Sequence, residues 1–396
     1  MDKNLKNDID YCLNCPSKPC TNGCPLGNDI PSFINYTKEN DLSKAFSVLS
    51  ETTVLASICG RVCPYHRQCE GNCVRRFIGD SVNIGKIEAY VGDALLDNKL
   101  FSQCVKNGFK VAIVGGGPSG LTCASFLIKM GYSIDLYEKH YHLGGIMSHG
   151  IPDFRLDPMI TYKNLKMITD LGINVFYGKE LGKNLSFDFL KENYDAVFLG
   201  FGANLSSKLN VPGADLCNVY GANEVLEENL DIDYKDKKVI VVGAGNVAMD
   251  MARTARRKGA FVKVIYHKKK ENMSADFSEY ENAVYDGIEF SFETNLLSIN
   301  GSSKVTSVNL IREVFGVDYV FFAVGSKPDY NLTSSLNLSM DDYGYIKVND
   351  KNMTSTIGVF AGGDLINFNR TIAYASKSGR DSAYFIDEYI KNIGKN

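Results

Sequence analysis

Lys110-Val111-Ala112-Ile113-Val114-Gly115-Gly116-Gly117-Pro118-Ser119-Gly120 is the stretch that decides the fold. Its opening is a short apolar, β-branched run, the composition of a buried parallel strand. The glycines then satisfy G-x-G-x-x-G, and Leu121–Lys129 continues with helical patterning. Gly115 permits the tight turn, Gly117 lets backbone approach a pyrophosphate, and Gly120 lets the helix pack close on the strand. Pro118 and Ser119 complete the loop, and the helix N-terminus offers free N–H groups and a positive dipole end to phosphates. A second strand, Ile134–Tyr137, ends in Glu138. That acid lies 18 residues after Gly120, close to the ~20 at which a carboxylate accepts a ribose hydroxyl. A lone glycine motif is weak. Flanked by strand, helix and acid, it predicts dinucleotide binding rather than a ligand-free turn.

The grammar repeats at Val239-Ile240-Val241-Val242-Gly243-Ala244-Gly245-Asn246-Val247-Ala248, in the G-x-G-x-x-A form. Ala248 is still small enough for helix–strand packing. The next strand, Phe261–Tyr266, ends not in an acid but in His267-Lys268-Lys269-Lys270. Basic residues there accommodate a 2′-phosphate, so NADP(H) is favoured over NAD, with a solvated basic turn as the bland alternative. Arg253 and Arg256 either assist that phosphate or are plain surface charges.

Two further glycine segments stand out. Leu143-Gly144-Gly145-Ile146 and Gly150-Ile151-Pro152-Asp153-Phe154-Arg155-Leu156 can bring backbone close to something flat or phosphorylated. Val359-Phe360-Ala361-Gly362-Gly363-Asp364 sets an acid after a short strand, as a second hydroxyl contact or as a plain turn.

The 396-residue chain is 44% apolar and 22% charged, an ordinary globular composition with room for two or three domains. Its net charge of −3 supplies no basic field for nucleic acid. The polar, mixed-charge start and the lack of any ~20-residue apolar run predict a cytoplasmic chain without a membrane segment. Eleven cysteines are present, eight of them in the first 73 residues. Such density without a secretory signal points to metal rather than disulfides. Cys12-x2-Cys15-x4-Cys20-x3-Cys24-Pro25 is close to the ferredoxin run C-x2-C-x2-C-x3-C-P. The second group is Cys59-x3-Cys63-Pro64-x4-Cys69-x3-Cys73. Eight thiolates can fill two 4Fe–4S clusters. Zinc and free thiols are weaker readings, because only Cys12/Cys15 has zinc spacing and His66 is the sole nearby histidine. Spacing alone leaves open which thiolate goes where. The predicted fold class is α/β: a helical iron–sulfur domain over 1–105, then two Rossmann-like dinucleotide-binding domains. The first covers 106–230 and 323–396; the second, 231–322, is inserted within it.

Several motifs together are more specific: the cysteine spacing, Cys59-Gly60-Arg61-Val62-Cys63-Pro64, Cys69-Glu70-Gly71-Asn72-Cys73, Val82-Asn83-Ile84-Gly85-Lys86-Ile87-Glu88, the Gly150–Leu156 run and Ala361-Gly362-Gly363-Asp364. From Cys12 to Ala383 the chain resembles the glutamate synthase small-subunit superfamily. That group includes the ferredoxin:NADP oxidoreductase large subunit, sulfide dehydrogenase subunits and the N-terminal half of dihydropyrimidine dehydrogenase. The resemblance implies a two-dinucleotide-binding flavoprotein, with FAD on the first loop and Glu138 and Asp364 as hydroxyl acceptors. Gly144, Gly145, Arg155 and Gly363 would stand beside FAD, and the backbone of Thr371-Ile372 beside the flavin pyrimidine. NADP(H) would occupy Gly243, Gly245, Asn246, Val247 and Ala248, with His267 and Lys268. Cys12, Cys15, Cys20 and Cys73 would hold one cluster. Cys24, Cys63 and Cys69 would hold the other, with Glu88 as its non-cysteine ligand and Cys59 spare.

The implied activity is electron transfer between NADPH, FAD and two 4Fe–4S clusters, with no catalytic side chain required. A second redox subunit or a ferredoxin would accept the electrons in a hetero-oligomer. A ferredoxin:NADP oxidoreductase or pyrimidine reductase subunit, and a non-catalytic electron-wiring subunit, are the alternatives. A thioredoxin-reductase-like enzyme would need a cysteine pair near the flavin, and residues 218–396 hold no cysteine. Three departures stand out. Val305–Val320 is short, Tyr266-His267-Lys268 replaces Tyr-Arg-Arg, and Phe201 and Phe368-Asn369-Arg370 replace small residues near the flavin. Point charges in place of a planar guanidinium fork weaken the case for NADP over NAD.

Overall fold

The computed structural model describes residues 3–96, 105–366 and 369–394, so Cys104 and Phe368 lie outside the described residues. It forms two compact units. One comprises residues 1–148, 153–202 and 330–396, and the other 149–152 and 203–329.

The first unit opens with short helices. Asp29 caps Ile30–Lys38 by accepting from Ser32 N–H, and Pro31 sits in the first turn, where a missing N–H costs nothing. Ile30, Phe33 and Ile34 form the buried face of this helix. Further helices of this region are Leu42–Ser50 and Ile84–Asp93. Ile84–Asp93 packs against Ala56–Val62 with little space between backbones. A Cβ at Gly60 would collide with the backbone of Ala89. That approach seats Glu88 beside the cysteines that follow Gly60.

A five-stranded parallel sheet follows, in the order Val359–Ala361, Ala196–Leu199, Lys110–Val114, Ser133–Tyr137, Asn174–Phe176. The Lys110–Val114 strand is central, and Val111, Ala112 and Ile113 are fully buried. Apolar residues on both faces are what a helix-covered parallel sheet requires. The glycine-loop helix, Pro118–Lys129, begins three residues before the expected Leu121, because Pro118 suits the first helical turn. Ile372–Ile393, capped by Thr371, packs along it.

The second unit repeats this design. Its parallel sheet runs Val219–Gly221, Tyr319–Phe322, Lys238–Val242, Phe261–Ile265, Glu289–Ser291, again with the glycine-loop strand central. The short Val305–Val320 segment contributes to a three-stranded antiparallel meander, Leu296–Gly301, Val305–Leu310 and Val314–Gly316. Residues 203–230, expected with the first dinucleotide domain, fall in the second unit instead. The reason is that Val219–Gly221 pairs in parallel with Tyr319–Phe322. No described helix is long and apolar enough to cross a membrane.

Candidate cofactor sites

At the first loop, Gly115 has φ +103°, and a Cβ there would lie 2.6 Å from Gly200 O. Only glycine tolerates that combination cheaply. A Cβ at Gly120 would strike the Gly115 carbonyl, which is the close helix–strand packing the motif encodes. Gly117 is different. A Cβ there would meet only Gly145 Cα, at 3.9 Å, so its backbone faces open space. Gly144 N–H donates to Gly116 O at 2.8 Å, bringing the Gly144-Gly145 segment onto the loop. Ser119 is 4% exposed, and its hydroxyl has no hydrogen-bond partner among the described residues. A buried orphan hydroxyl at a helix N-terminus fits a phosphate oxygen. Glu138 is buried, accepting from Gly116 N–H at 2.8 Å and from His140 N–H at 2.9 Å.

Gly363, at φ +68°, lies against Ser119, and its N–H donates to Ser378 Oγ at 3.0 Å. Burial pushes the adjacent Asp364 carboxyl up to about 7. A carboxyl so placed is stabilised by a hydroxyl donor, which a ribityl or ribose group supplies. Thr371 Oγ1 accepts from Tyr374 N–H, fixing the turn that leads into Ile372. Arg155 is half-buried in the turn before Leu156. Phe201 is half-buried and packs against the core cluster that includes Val114 and Leu199.

At the second loop, Gly243 has φ +126°, with the Ala323 carbonyl where a Cβ would be. Asn246 Oδ1 accepts from Asp276 N–H at 2.8 Å, Ser274 Oγ lies near Gly245, and Ala248 is fully buried. His267 and Lys268 are exposed past the end of the Phe261–Ile265 strand. Arg253 is neither a surface charge nor available to a phosphate. It is 7% exposed and bonds Glu279 at 2.8 Å and Asp286 at 2.9 Å. Arg256 donates to the carbonyls of Asp286 and Ala260.

The N-terminal cysteines sort into two groups. Cys12, Cys15, Cys20 and Cys73 line one cavity together with Ile30, Ile34 and Val82. Burial raises the Cys12 thiol and takes Cys20 up to about 11, and each is raised further by the neighbouring Cys73. Cys24, Cys63, Cys69 and Glu88 form the other group. Burial takes Cys24 up to about 12, and Glu88 and Cys63 push it the same way. Cys69 is raised by burial and by Glu88, Cys24 and Cys63. Cys59 is buried within this second group and shares a hydrogen bond with Cys63. Burial drives the Glu88 carboxyl up to about 8, against the pull of its bond from Asn28. No group of His, Cys, Asp and Glu among the described residues converges in the manner of a single-ion site. Four sulfurs around a cavity suit a wider inorganic core, and loading it would release the protons that these thiols hold.

The pyridine nucleotide-disulphide oxidoreductase family matches residues 109–381. A second family, described as dihydropyrimidine dehydrogenase domain II, 4Fe-4S cluster, matches residues 2–100. The chain is 31% identical to the glutamate synthase [NADPH] small chain of Escherichia coli, over 96% of this chain and 90% of that one. The chain belongs to the glutamate synthase small-chain family of pyridine nucleotide-disulphide oxidoreductases.

Within the glutamate synthase small-chain family, the Azospirillum brasilense protein is 30% identical, covering 98% of this chain and 90% of its own. The β subunit of the Moorella thermoacetica NADP(+)-dependent formate dehydrogenase is 30% identical over 94% of this chain and 60% of its own length. In fold, the chain is similar to Mycobacterium tuberculosis FprA in complex with NADPH (TM-score 0.62, 20% identity, 72% of this chain, 85% of that). Lactococcus lactis thioredoxin reductase gives TM-score 0.57 at 23% identity, over 72% of this chain and 99% of that one. As a family member the chain is an NAD(P)H-dependent oxidoreductase that transfers electrons by way of FAD and iron–sulfur chemistry. Sequence reasoning missed Asn28, Thr52 and Arg380. Nothing in the local sequence marks them, since their partners lie 24 to 354 residues away.

Proposed function

We propose that this chain is the NADPH-oxidising, electron-distributing subunit of a cytoplasmic hetero-oligomer of the glutamate synthase type. The supporting observation is the division of eight cysteines into two groups, each holding two buried and two half-buried thiols, in the same compact unit as the first glycine loop. Bound FAD exchanges an electron pair with a nicotinamide and single electrons with iron–sulfur clusters. In this reading Gly117, Pro118 and Ser119 receive the FAD pyrophosphate, with Gly115 and Gly120 shaping the loop. Glu138 and Asp364 accept hydroxyls, Gly144, Gly145, Arg155 and Gly363 flank the cofactor, and Thr371 and Ile372 present backbone to the flavin. Gly243, Gly245, Asn246, Val247 and Ala248 hold NADP(H), and His267 and Lys268 meet its 2′-phosphate.

Cys12, Cys15, Cys20 and Cys73 hold one 4Fe–4S cluster. Cys24, Cys63, Cys69 and Glu88 hold a second. Cys59 is left as a thiol beside a ligand. A second redox subunit or a ferredoxin takes the electrons. A reducing compartment suits ten free cysteines among the described residues. The test is anaerobic purification of the intact chain with its co-purifying partner, followed by iron, acid-labile sulfide and flavin assays and addition of NADPH. Two clusters' worth of iron and sulfide, one FAD and flavin bleaching by NADPH are expected. Colourless protein, or flavin that NADPH leaves oxidised, would overturn the reading.

A further inference from the structure

We infer that Asn28 is a positioning residue for the second iron–sulfur site, fixing Glu88 and Cys24 relative to each other. The inference rests on the proposed ligation of that site by Cys24, Cys63, Cys69 and Glu88.

Asn28 is 1% exposed, and while its carbonyl accepts from Ile30 N–H at 2.8 Å, its side-chain amide and its backbone N–H run toward this site or brace it. Its Nδ2 donates to Glu88 Oε1 at 3.2 Å, across 60 residues of chain. Its backbone N–H, with that of Leu26, is directed at the Cys24 sulfur. One residue therefore offers N–H donors to two proposed ligands from distant segments. The amide cannot turn over without loss. Thr52 Oγ1 donates to Asn28 Oδ1 at 2.6 Å, which leaves the amide nitrogen to face Glu88, as a carboxylate ligating iron, which only accepts, requires. Thr52 is braced in turn, because Arg380 donates to Thr52 O at 3.3 Å and to Leu26 O at 2.7 Å.

The consequence falls on Glu88, which is 6% exposed. Oε1 is engaged by Asn28, whereas Oε2 has no hydrogen-bond partner among the described residues. A nearly buried carboxylate with one oxygen tied back and the other unclaimed is arranged for single-oxygen ligation. Donors to ligating oxygen and sulfur withdraw electron density, which stabilises the reduced, more negative form of a cluster. Asn28 therefore holds the potential of the Glu88 site up and keeps its ligand geometry uniform.

The experiment is an anaerobic redox titration of the intact holoprotein, followed by EPR of the reduced clusters, with iron counted in each variant. In Asn28→Ala, one of the two midpoint potentials moves to more negative values and that cluster's EPR g-values change. The other cluster's potential and spectrum stay put. Thr52→Val, which keeps Asn28 but releases its amide, shifts the same potential in the same direction by less, and carries the test if Asn28→Ala fails to fold. Unmoved potentials and spectra in the folded variants would overturn the role of Asn28, as would equal changes in both clusters. Glu88→Ala separates the two levels. If it leaves both EPR signals unchanged, the ligand assignment fails. If it alters one signal that Asn28→Ala does not, only the role of Asn28 fails.

Discussion

Replacing Arg380 with methionine should loosen the turn after Cys24 without disturbing the helix that carries the arginine. Arg380 lies on Ile372–Ile393, the helix packed along the first glycine-loop helix, and its side chain is 13% exposed. It donates to Leu26 O at 2.7 Å and to Thr52 O at 3.3 Å, in two segments that have no backbone pairing with that helix. A hydrogen bond from a charged donor contributes about 1.5–3 kcal/mol, and the longer of these two belongs at the low end. Methionine keeps the apolar stem, so packing is largely retained and the loss is that of the guanidinium donors. Asp381 is not stranded, because Lys377 still bonds it at 2.7 Å. The sum is about 3–4 kcal/mol, which at 1.4 kcal/mol per tenfold is a roughly 100- to 1000-fold rise in local opening. Amide hydrogen exchange reads this directly. The protected amides of Gly27, Ile30, Thr52 and Thr53, each bonded to a nearby carbonyl, should exchange that much faster in Arg380→Met. Amides within Pro118–Lys129 should not change. Exchange within tenfold of the parent protein in the two segments would refute the tie. So would uniform acceleration across the unit, which would mean general destabilisation instead.

Arg253→Met should destabilise the second unit by about 3 kcal/mol, because it strands Glu279 near a buried position and leaves Asp286 with Arg257 alone, while NADPH affinity stays unchanged; urea unfolding and NADPH titration check both halves. Burial alone would raise the Asp286 carboxyl, but bonds from Arg253 and Arg257 outweigh it and hold the carboxyl below 3.8. The folded value is the depressed one, so this stabilisation is present above about pH 4 and disappears as pH falls through the folded value. Acid unfolding followed from pH 6 to pH 2 should therefore differ less between Arg253→Met and parent protein at the acid end. His267→Ala combined with Lys268→Ala should raise KM for NADPH about tenfold, the loss of one exposed phosphate contact, and leave KM for NADH within about twofold; an equal rise for both would remove these residues from phosphate recognition. Cys59→Ala should retain full iron and sulfide at a cost of about 1 kcal/mol, whereas Cys63→Ala should lose iron, as measured by metal analysis of anaerobically purified protein.

Both glycine loops were legible in the sequence because what they require is local. A turn at positive φ, here +103° at Gly115 and +126° at Gly243, must be made by the residue that stands there, whatever the rest of the chain does. Strand, loop and helix are contiguous, so hydrophobic pattern and glycine spacing sufficed to place two dinucleotide folds in tandem. Cysteine spacing announced metal for a similar reason, since short intervals limit what thiols can reach.

Other features depended on packing between distant segments. Cys20 and Cys24 are four residues apart yet face different groups, and Cys73 joins Cys12 rather than its own neighbour Cys69. The close crossing of Ala56–Val62 with Ile84–Asp93 brings Glu88 to Cys24 and Cys63, and puts Asn28 within 3.2 Å of Glu88. Arg253 stood equally for a phosphate ligand or a surface charge until Glu279 and Asp286 were seen to occupy it. Local conformation is set by residues in sequence order, but which charges and sulfurs meet is set by which helix faces become buried together. No spacing rule records that.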